Sequence, residues 1–373
     1  MKLKPLVAAL ALVATTALML TACGSNPDVG GGSAGGSASG VLVSCGGKNS
    51  LTGEGSSAQK NAMDVFIQAY QQRCSGQNVA YNPTGSGAGV KQFTAGLVDF
   101  GGSDSPLVAP DQVAAATKRC QDHPAWNIPL VFGPVALGYK LNGVNNLVLD
   151  GETAAKIFNG RITSWNDPAL TTLNPGVSLP ATPIRVIFRS DESGTTDNFQ
   201  LYLQTASKGA WSQGAGKSFK GGVGSGAEKS AGVAQAAAGT DGAITYVELS
   251  FAQDNKLGIA KIDNGSGPVE LSDRSVGTAI DAVKIKGEGN DLVLDLDSIY
   301  GTTQPDAYPL ILATYELVCS QGYAPEVAQA IKAFLTVAAT DGQANLSEAG
   351  YAPLPEAFQK KILAAVEAIA PPV

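Results

Sequence analysis

The sequence predicts an α/β fold, built as a two-lobed clamshell with two extended hinge crossings. Three observations lead there. Strand-like and helix-like segments alternate along the chain, the pattern that lays helices against a sheet. Two long extended apolar segments, 128–139 and 308–318, stand far apart in sequence, as they must if the chain leaves one lobe and later returns to it. The length of 373 residues, with ordinary globular hydrophobicity, suits two lobes better than one. The first lobe is then discontinuous, 45–132 with 312–373, and the second lobe is 133–311.

The elements follow in order. Residues 49–53 read as a short strand, and 60–73 as a helix with Met63, Phe66, Ile67 and Tyr70 at helical spacing. Strands are expected at 77–81 and 97–101, with a short helix carrying Val90 and Phe93 between them and another helix at 110–119. Beyond the first crossing come a helix at 150–159, a strand at 184–188, helices at 198–206 and 230–238, and a strand at 243–247. Helices at 325–340 and 355–369 end the chain. Alternation of this kind implies a largely parallel sheet.

The N-terminus is not part of the fold. Lys2 and Lys4 precede an apolar run at 7–20, too short for a comfortable membrane span, so 1–22 reads as an export signal. The run ends Leu20-Thr21-Ala22-Cys23, which resembles a bacterial lipobox. Cleavage there leaves Cys23 free to carry a diacylglycerol. Residues 23–44, rich in Gly, Ser and Ala, form a flexible tether whose coil span grows as roughly 5–6 Å × √n. The expected location is therefore outside the cytoplasm, with the body anchored to the outer face of the cell membrane.

Four further cysteines, Cys45, Cys74, Cys120 and Cys319, suit two disulfides in an exported chain, with three pairings possible. A zinc site is disfavoured, since there is no CxxC pair and His123 is the only histidine. No metal and no cofactor are implied. The net charge is −7, and loss of Lys2 and Lys4 with the signal makes the remainder more acidic. A broad basic field for nucleic acid is excluded. Any anion must be held locally.

Three Ser/Gly turns lead into helix starts: Gly53-Glu54-Gly55-Ser56-Ser57, Gly85-Ser86-Gly87-Ala88-Gly89 and Arg189-Ser190-Asp191-Glu192-Ser193-Gly194-Thr195-Thr196. A helix start offers unpaired N–H groups and the positive end of the helix dipole. Serine and threonine add hydroxyl donors, and glycine allows close approach. Any one such turn is explained by helix capping alone. The recurrence of one device three times points to a socket for a small oxyanion. Arg189 ends a strand with Asp191 two residues on, which reads either as a structural pair at a strand end or as a guanidinium that gives two donors to an oxyanion while Asp191 holds it in place. Asp104 lies just past a strand, before Pro106.

These pieces together resemble the periplasmic phosphate-binding proteins of bacterial ABC importers, the PstS type, in their actinobacterial lipoprotein branch. The matching segments are Leu51-Thr52-Gly53-Glu54-Gly55-Ser56-Ser57, Gly85-Ser86-Gly87-Ala88-Gly89, Asp99-Phe100-Gly101-Gly102-Ser103-Asp104 and Arg189-Ser190-Asp191-Glu192-Ser193-Gly194-Thr195. Ile157-Phe158-Asn159-Gly160, Trp165-Asn166-Asp167-Pro168 and Ala243-Ile244-Thr245-Tyr246-Val247-Glu248 add to them. The resemblance implies a type II periplasmic-binding-protein clamshell that closes on inorganic phosphate and delivers it to membrane permease subunits. It also implies the contacts. Ser57 and the N–H of Ala58 bind from the first turn, and Ser86 from the second. Asp104 accepts a hydrogen bond from the ligand's own proton. Arg189, Ser193, Gly194 and Thr195 close the other side. Many relatives carry Thr-Phe where this chain has Ser57-Ala58, so the donors persist and the aromatic ring does not.

Two disulfides are then expected, Cys45–Cys74 and Cys120–Cys319. A helix running back beside its preceding strand suits the first, and neighbouring crossings suit the second. Two other classes compete with a binding protein. An ester hydrolase would need a base near a serine, and His123 lies outside all three turns. A surface adhesin or signalling lipoprotein would need no ligand at all.

Overall fold

The computed structural model describes residues 40–370. The export signal, Cys23 and most of the tether lie outside the described residues. The described residues belong to one compact unit.

Strand β1 (Ser50–Gly55) leads into α1 (Lys60–Arg73), which buries Ala62, Met63, Phe66 and Tyr70, the face set by their helical spacing. Next come β2 (Asn78–Asn82), α2 (Ser86–Thr94), β3 (Phe100–Ser103) and α3 (Pro110–Arg119). Pro110 starts α3, where its missing N–H costs nothing. The first crossing is β4 (Ala125–Lys140), one strand of 16 residues.

Beyond it lie β5 (Val148–Asp150), α4 (Gly151–Phe158) and α5 (Pro168–Leu173). Asp150 caps α4, accepting from Thr153 N at 2.7 Å, while Thr153 Oγ1 accepts from Asp150 N at 3.1 Å. Then follow β6 (Arg185–Arg189), α6 (Gly194–Ala206), β7 (Ser225–Ala227), α7 (Lys229–Ala238), β8 (Ala243–Glu248) and α8 (Leu249–Asp254). Short pieces come next: β9 (Gly258–Ile259), β10 (Lys261–Asp263), β11 (Pro268–Val269), α9 (Asp273–Ile280), β12 (Lys284–Ile285), β13 (Leu294–Asp295) and α10 (Asp297–Tyr300). The second crossing is β14 (Ile311–Cys319), followed by α11 (Pro325–Ala339) and α12 (Glu356–Glu367).

Among the described residues the main sheet runs β2-β1-β3-β14-β4-β8-β6-β7, with β9 on β4. It is parallel only at its two ends, β2-β1-β3 and β8-β6-β7. Its centre, β3-β14-β4-β8, is antiparallel. This corrects the expectation of a largely parallel sheet. Two crossings that carry the chain out and back must run in opposite directions, and here they pair with each other. Residues 125–134 of β4 pair with β14, and residues 135–140 pair with β8, so one strand serves both halves. The register slips between Thr314 and Tyr315, opposite Val131 and Pro129, which leaves Leu130 as the extra residue of a bulge beside a proline that has no N–H to give.

Helices pack on both halves. Phe334 of α11 meets Tyr70 and Phe100 with ring centres 5.5 and 5.6 Å apart. In the other half Phe199 stacks on Tyr246 at 4.4 Å and meets Phe158 at 4.7 Å. Disulfides join Cys45 to Cys74 and Cys120 to Cys319. Cys319 ends β14, opposite Ala125 of β4, and Cys120 closes α3 just before β4 begins. The second bond spans 199 residues, a closure that by chain entropy contributes about 5 kcal/mol.

Candidate anion-binding site

The site forms where the three turns meet the two crossings. In the first turn, Gly55 has φ +146, and a Cβ there would lie 2.0 Å from Gly102 O, so only glycine fits. Ser56 Oγ donates to Asp104 Oδ1 at 2.5 Å and accepts from Ala58 N at 3.0 Å. Ser57 Oγ lies 3.0 Å from Ser230 Oγ and accepts from Ser230 N at 3.1 Å. In the second turn, Ser86 Oγ donates to Asp104 Oδ2 and accepts from Asp104 N, both at 3.1 Å. Gly87 N donates to Glu192 O at 2.9 Å, which ties the second turn to the third.

Asp104 is 2 % exposed and accepts from three hydroxyls, those of Ser56, Ser86 and Thr314, the last at 2.7 Å. Burial pushes its carboxyl up to about 6; the three hydroxyls oppose the rise and the Glu248 charge adds to it.

Arg189 ends β6 and is 2 % exposed. Its Nε and Nη2 donate to the two oxygens of Asp191 at 2.7 and 2.5 Å, and Nη1 donates to Ser230 Oγ at 3.2 Å. Burial disfavours both charges, but the bidentate pair outweighs it: the Arg189 pKa is raised and that of Asp191 lowered. Both therefore stay ionised.

In the third turn, Ser193 caps α6 by accepting from Thr196 N at 3.2 Å. A Cβ on Gly194 would stand 2.6 Å from Asp104 Cβ and 2.7 Å from Ser86 Oγ, so these three residues are in direct contact. Thr195 Oγ1 donates to Glu248 Oε1 at 2.5 Å, and Glu248 Oε2 has no partner although it is buried. Asn198 Nδ2 bridges the halves, donating to Asp104 O at 2.7 Å and Gly194 O at 2.8 Å.

The structure thus gathers Ser57, Ala58, Ser86, Asp104, Arg189, Ser193, Gly194 and Thr195 into one buried neighbourhood. Ala58 N–H is spent on Ser56 Oγ rather than left free. Ser230, Thr314 and Asn198 join the cluster and were not singled out from the sequence; Ser56 and Glu248 stand in the matching segments but were given no contact role. Ser230 carries a readable signal. It opens a fourth helix, α7, after Gly224-Ser225-Gly226, the same Ser/Gly device as the other turns. Thr314 carries none, because only the pairing of β14 with β3 and β4 brings it to Asp104. His123 lies in the turn between α3 and β4, with its N–H on Cys120 O. Among the described residues no group of His, Cys, Asp or Glu is arranged to hold a metal.

A guanidinium, several hydroxyls and helix N-termini supply donors, while Asp104 and Glu248 supply acceptors. A site with both suits an oxyanion that itself carries a proton, held away from water.

A profile described as a PBP superfamily domain matches residues 32–341. The Phosphate-binding protein PstS 3 of Mycobacterium leprae is 52 % identical over 372 residues, covering 99 % of this chain and 100 % of that one. The PstS 2 protein of Mycobacterium tuberculosis is 50 % identical over 365 residues, covering 97 % and 98 %. Among solved structures, a high-affinity periplasmic phosphate-binding protein with bound phosphate superposes with a TM-score of 0.68 at 21 % identity, covering 84 % of this chain and 93 % of that one. A phosphate-binding protein from Stenotrophomonas maltophilia gives 0.63 at 20 % identity, with 85 % and 94 % covered. The mixed sheet and its crossings are thus the type II periplasmic-binding-protein fold, and the chain belongs to the PstS family of phosphate-binding proteins.

Proposed function

We propose that this protein binds inorganic phosphate outside the cytoplasm and delivers it to the membrane permease subunits of an ABC importer. Lobe I, 45–132 with 312–373, and lobe II, 133–311, close on the dehydrated anion. Ser57 and Ser86 hold it from lobe I, where Ala58, its N–H spent on Ser56, lines the first turn; Arg189, Ser193, Gly194 and Thr195 hold it from lobe II. The role is binding without turnover, which the names of the relatives support.

The observation that carries this reading is Asp104. A buried carboxylate beside an anion repels it unless the anion donates a proton. The two oxygens of a carboxylate have about four lone-pair sites, and three hydroxyls occupy three of them. One site is left for a P–O–H. Sulfate is fully ionised and has no proton to give. Leaving the acceptor unsatisfied costs about 1–3 kcal/mol. That corresponds to rejection of sulfate by about fivefold to about 150-fold, with repulsion adding to it. Competitive titration of phosphate, arsenate and sulfate tests it. Arsenate, which is protonated, is expected to compete where sulfate does not. Asp104→Asn is expected to narrow the gap, since an amide donates to sulfate as well. Sulfate binding as tight as phosphate in the unmodified protein overturns the reading.

We further propose that a lipid on Cys23 holds the protein at the outer face of the cell membrane, as the sequence before that cysteine supports. Cys23→Ala is expected to move the protein from the membrane fraction to the soluble one. A variant that stays in the membrane fraction rejects the anchor.

A further inference from the structure

A second buried carboxyl stands behind the anion site, outside the set of contacts described above. Glu316 lies on β14, opposite Gly102 of β3 on one side and Ile128 of β4 on the other. It is 0 % exposed, and neither carboxyl oxygen has a partner at full hydrogen-bond distance, although the Gln59 amide faces it as a weak donor. Beside it Gln59 Nε2 donates to Tyr81 OH at 3.0 Å, which leaves Gln59 Oε1 buried and unpartnered too. Tyr81 OH in turn donates to Ser56 O at 2.9 Å. Gly102 makes room for this cluster: a Cβ there would lie 2.3 Å from Tyr81 OH and 2.5 Å from Gln59 Nε2.

Acceptors outnumber donors in the cluster: Gln59 Nε2 has one N–H left to turn toward Glu316, against two carboxyl oxygens and the Gln59 Oε1. A proton on Glu316 supplies a further donor. No cation substitutes for it: Glu316 enters none of the ion pairs among the described residues, and the groups facing it are Gln59, Tyr81 and Asp104. An ionised Glu316 would therefore place an uncompensated charge behind Asp104, on the strand that also brings Thr314 to that carboxylate.

We propose that Glu316 is a positioning residue that must stay protonated for phosphate to be held, and that its ionisation at alkaline pH weakens binding. The inference rests on the phosphate reading above. A neutral Glu316 leaves the Gln59–Tyr81–Ser56 chain intact behind the first turn and adds no charge to the site. An anionic one repels both Asp104 and the ligand.

The electrostatics give the pH window. Burial pushes the Glu316 carboxyl up to about 8; Gln59 eases the rise and Asp104 adds to it. Asp104 is pushed only to about 6, so near neutral pH the two acids differ in charge, one ionised and one not. Bound phosphate adds negative charge nearby and lifts Glu316 further. Between the free and bound values, binding must take up a proton. Affinity then falls by about tenfold per pH unit above about pH 8, beyond whatever the ligand's own titration causes.

The experiment is calorimetric titration with inorganic phosphate from about pH 6 to about pH 10, in buffers of different ionisation heat, on the unmodified protein and Glu316→Gln. The ligand's own titration is common to both proteins and drops out of the difference. Near neutral pH the two are expected to bind alike. Above about pH 8 the unmodified protein is expected to take up as much as one proton more per phosphate bound and to lose affinity more steeply. Superposable profiles overturn the proposal. Failure of the unmodified protein to bind phosphate near neutral pH is a different result, which overturns the functional reading and this one with it. Infrared difference spectra of the unmodified protein test the same proton if the variant does not fold. A buried carboxylic-acid band is expected to vanish through about pH 8 without phosphate and to persist to higher pH with it. A band that is absent at neutral pH, or that ignores phosphate, rejects the proposal.

Discussion

Arg189→Met is expected to weaken phosphate and arsenate binding together, by about a hundredfold to several thousandfold. The guanidinium has five N–H donors. Two are spent on Asp191 and one on Ser230, which leaves two for an anion. Net charge offers no substitute, since the chain carries −7 overall. Methionine keeps the volume of the stem and removes the charge. Asp191 and Asp104 then share the site with no cation to balance them, and breaking a buried pair in this way typically costs 3–5 kcal/mol. Asp191→Asn keeps one acceptor for the guanidinium and is expected to do less harm. The check is calorimetric titration of each variant, with urea unfolding alongside to separate lost binding from lost fold. An Arg189→Met protein that binds phosphate within tenfold of the unmodified one contradicts this account.

The sequence is most legible where a long element meets a period or a stop. Helices α1 and α3 stand at the expected residues, because apolar spacing marks the first and Pro110 the start of the second. The two crossings are visible as long apolar strands. Their antiparallel pairing is not, since it depends on the path between them. Helix α6 begins at Gly194, ahead of the expected 198, because Gly194, Thr195 and Thr196 carry no apolar spacing; the cap on Ser193 starts it instead. Strands β9 to β13 are two or three residues long, too short to show any alternation. The site divides in the same way. Ser57, Ser86 and Ser193 announce themselves through local turn chemistry. Thr314 and Glu316 come from a strand interior and Glu248 from a strand end, and all three reach the site only through sheet register.

Gly194→Ala is expected to hold the cleft open and to lower phosphate affinity by about tenfold to more than a hundredfold. Gly194 is the first residue of α6, where alanine fits the backbone well, so the substitution isolates one contact. The added Cβ would stand 2.6 Å from Asp104 Cβ, 2.7 Å from Ser86 Oγ and 2.8 Å from Asp104 Oδ2. None of these belongs to a flexible chain end. Asp104 is fixed by three hydroxyls, and Ser86 is fixed by Asp104. The clash is relieved most directly by parting α6 from β3 and α2, which opposes closure. A ligand that touches both sides favours the closed state only by its differential affinity, and the methyl group subtracts from that difference. Small-angle scattering is expected to show the unmodified protein more compact with saturating phosphate and the variant less so. Gly277→Ala is the control: it lies inside α9 with nothing within 4 Å of the new Cβ, and it should leave affinity unchanged. If Gly194→Ala binds phosphate as tightly as the control does, the contact between Gly194 and Asp104 is not what closes this site.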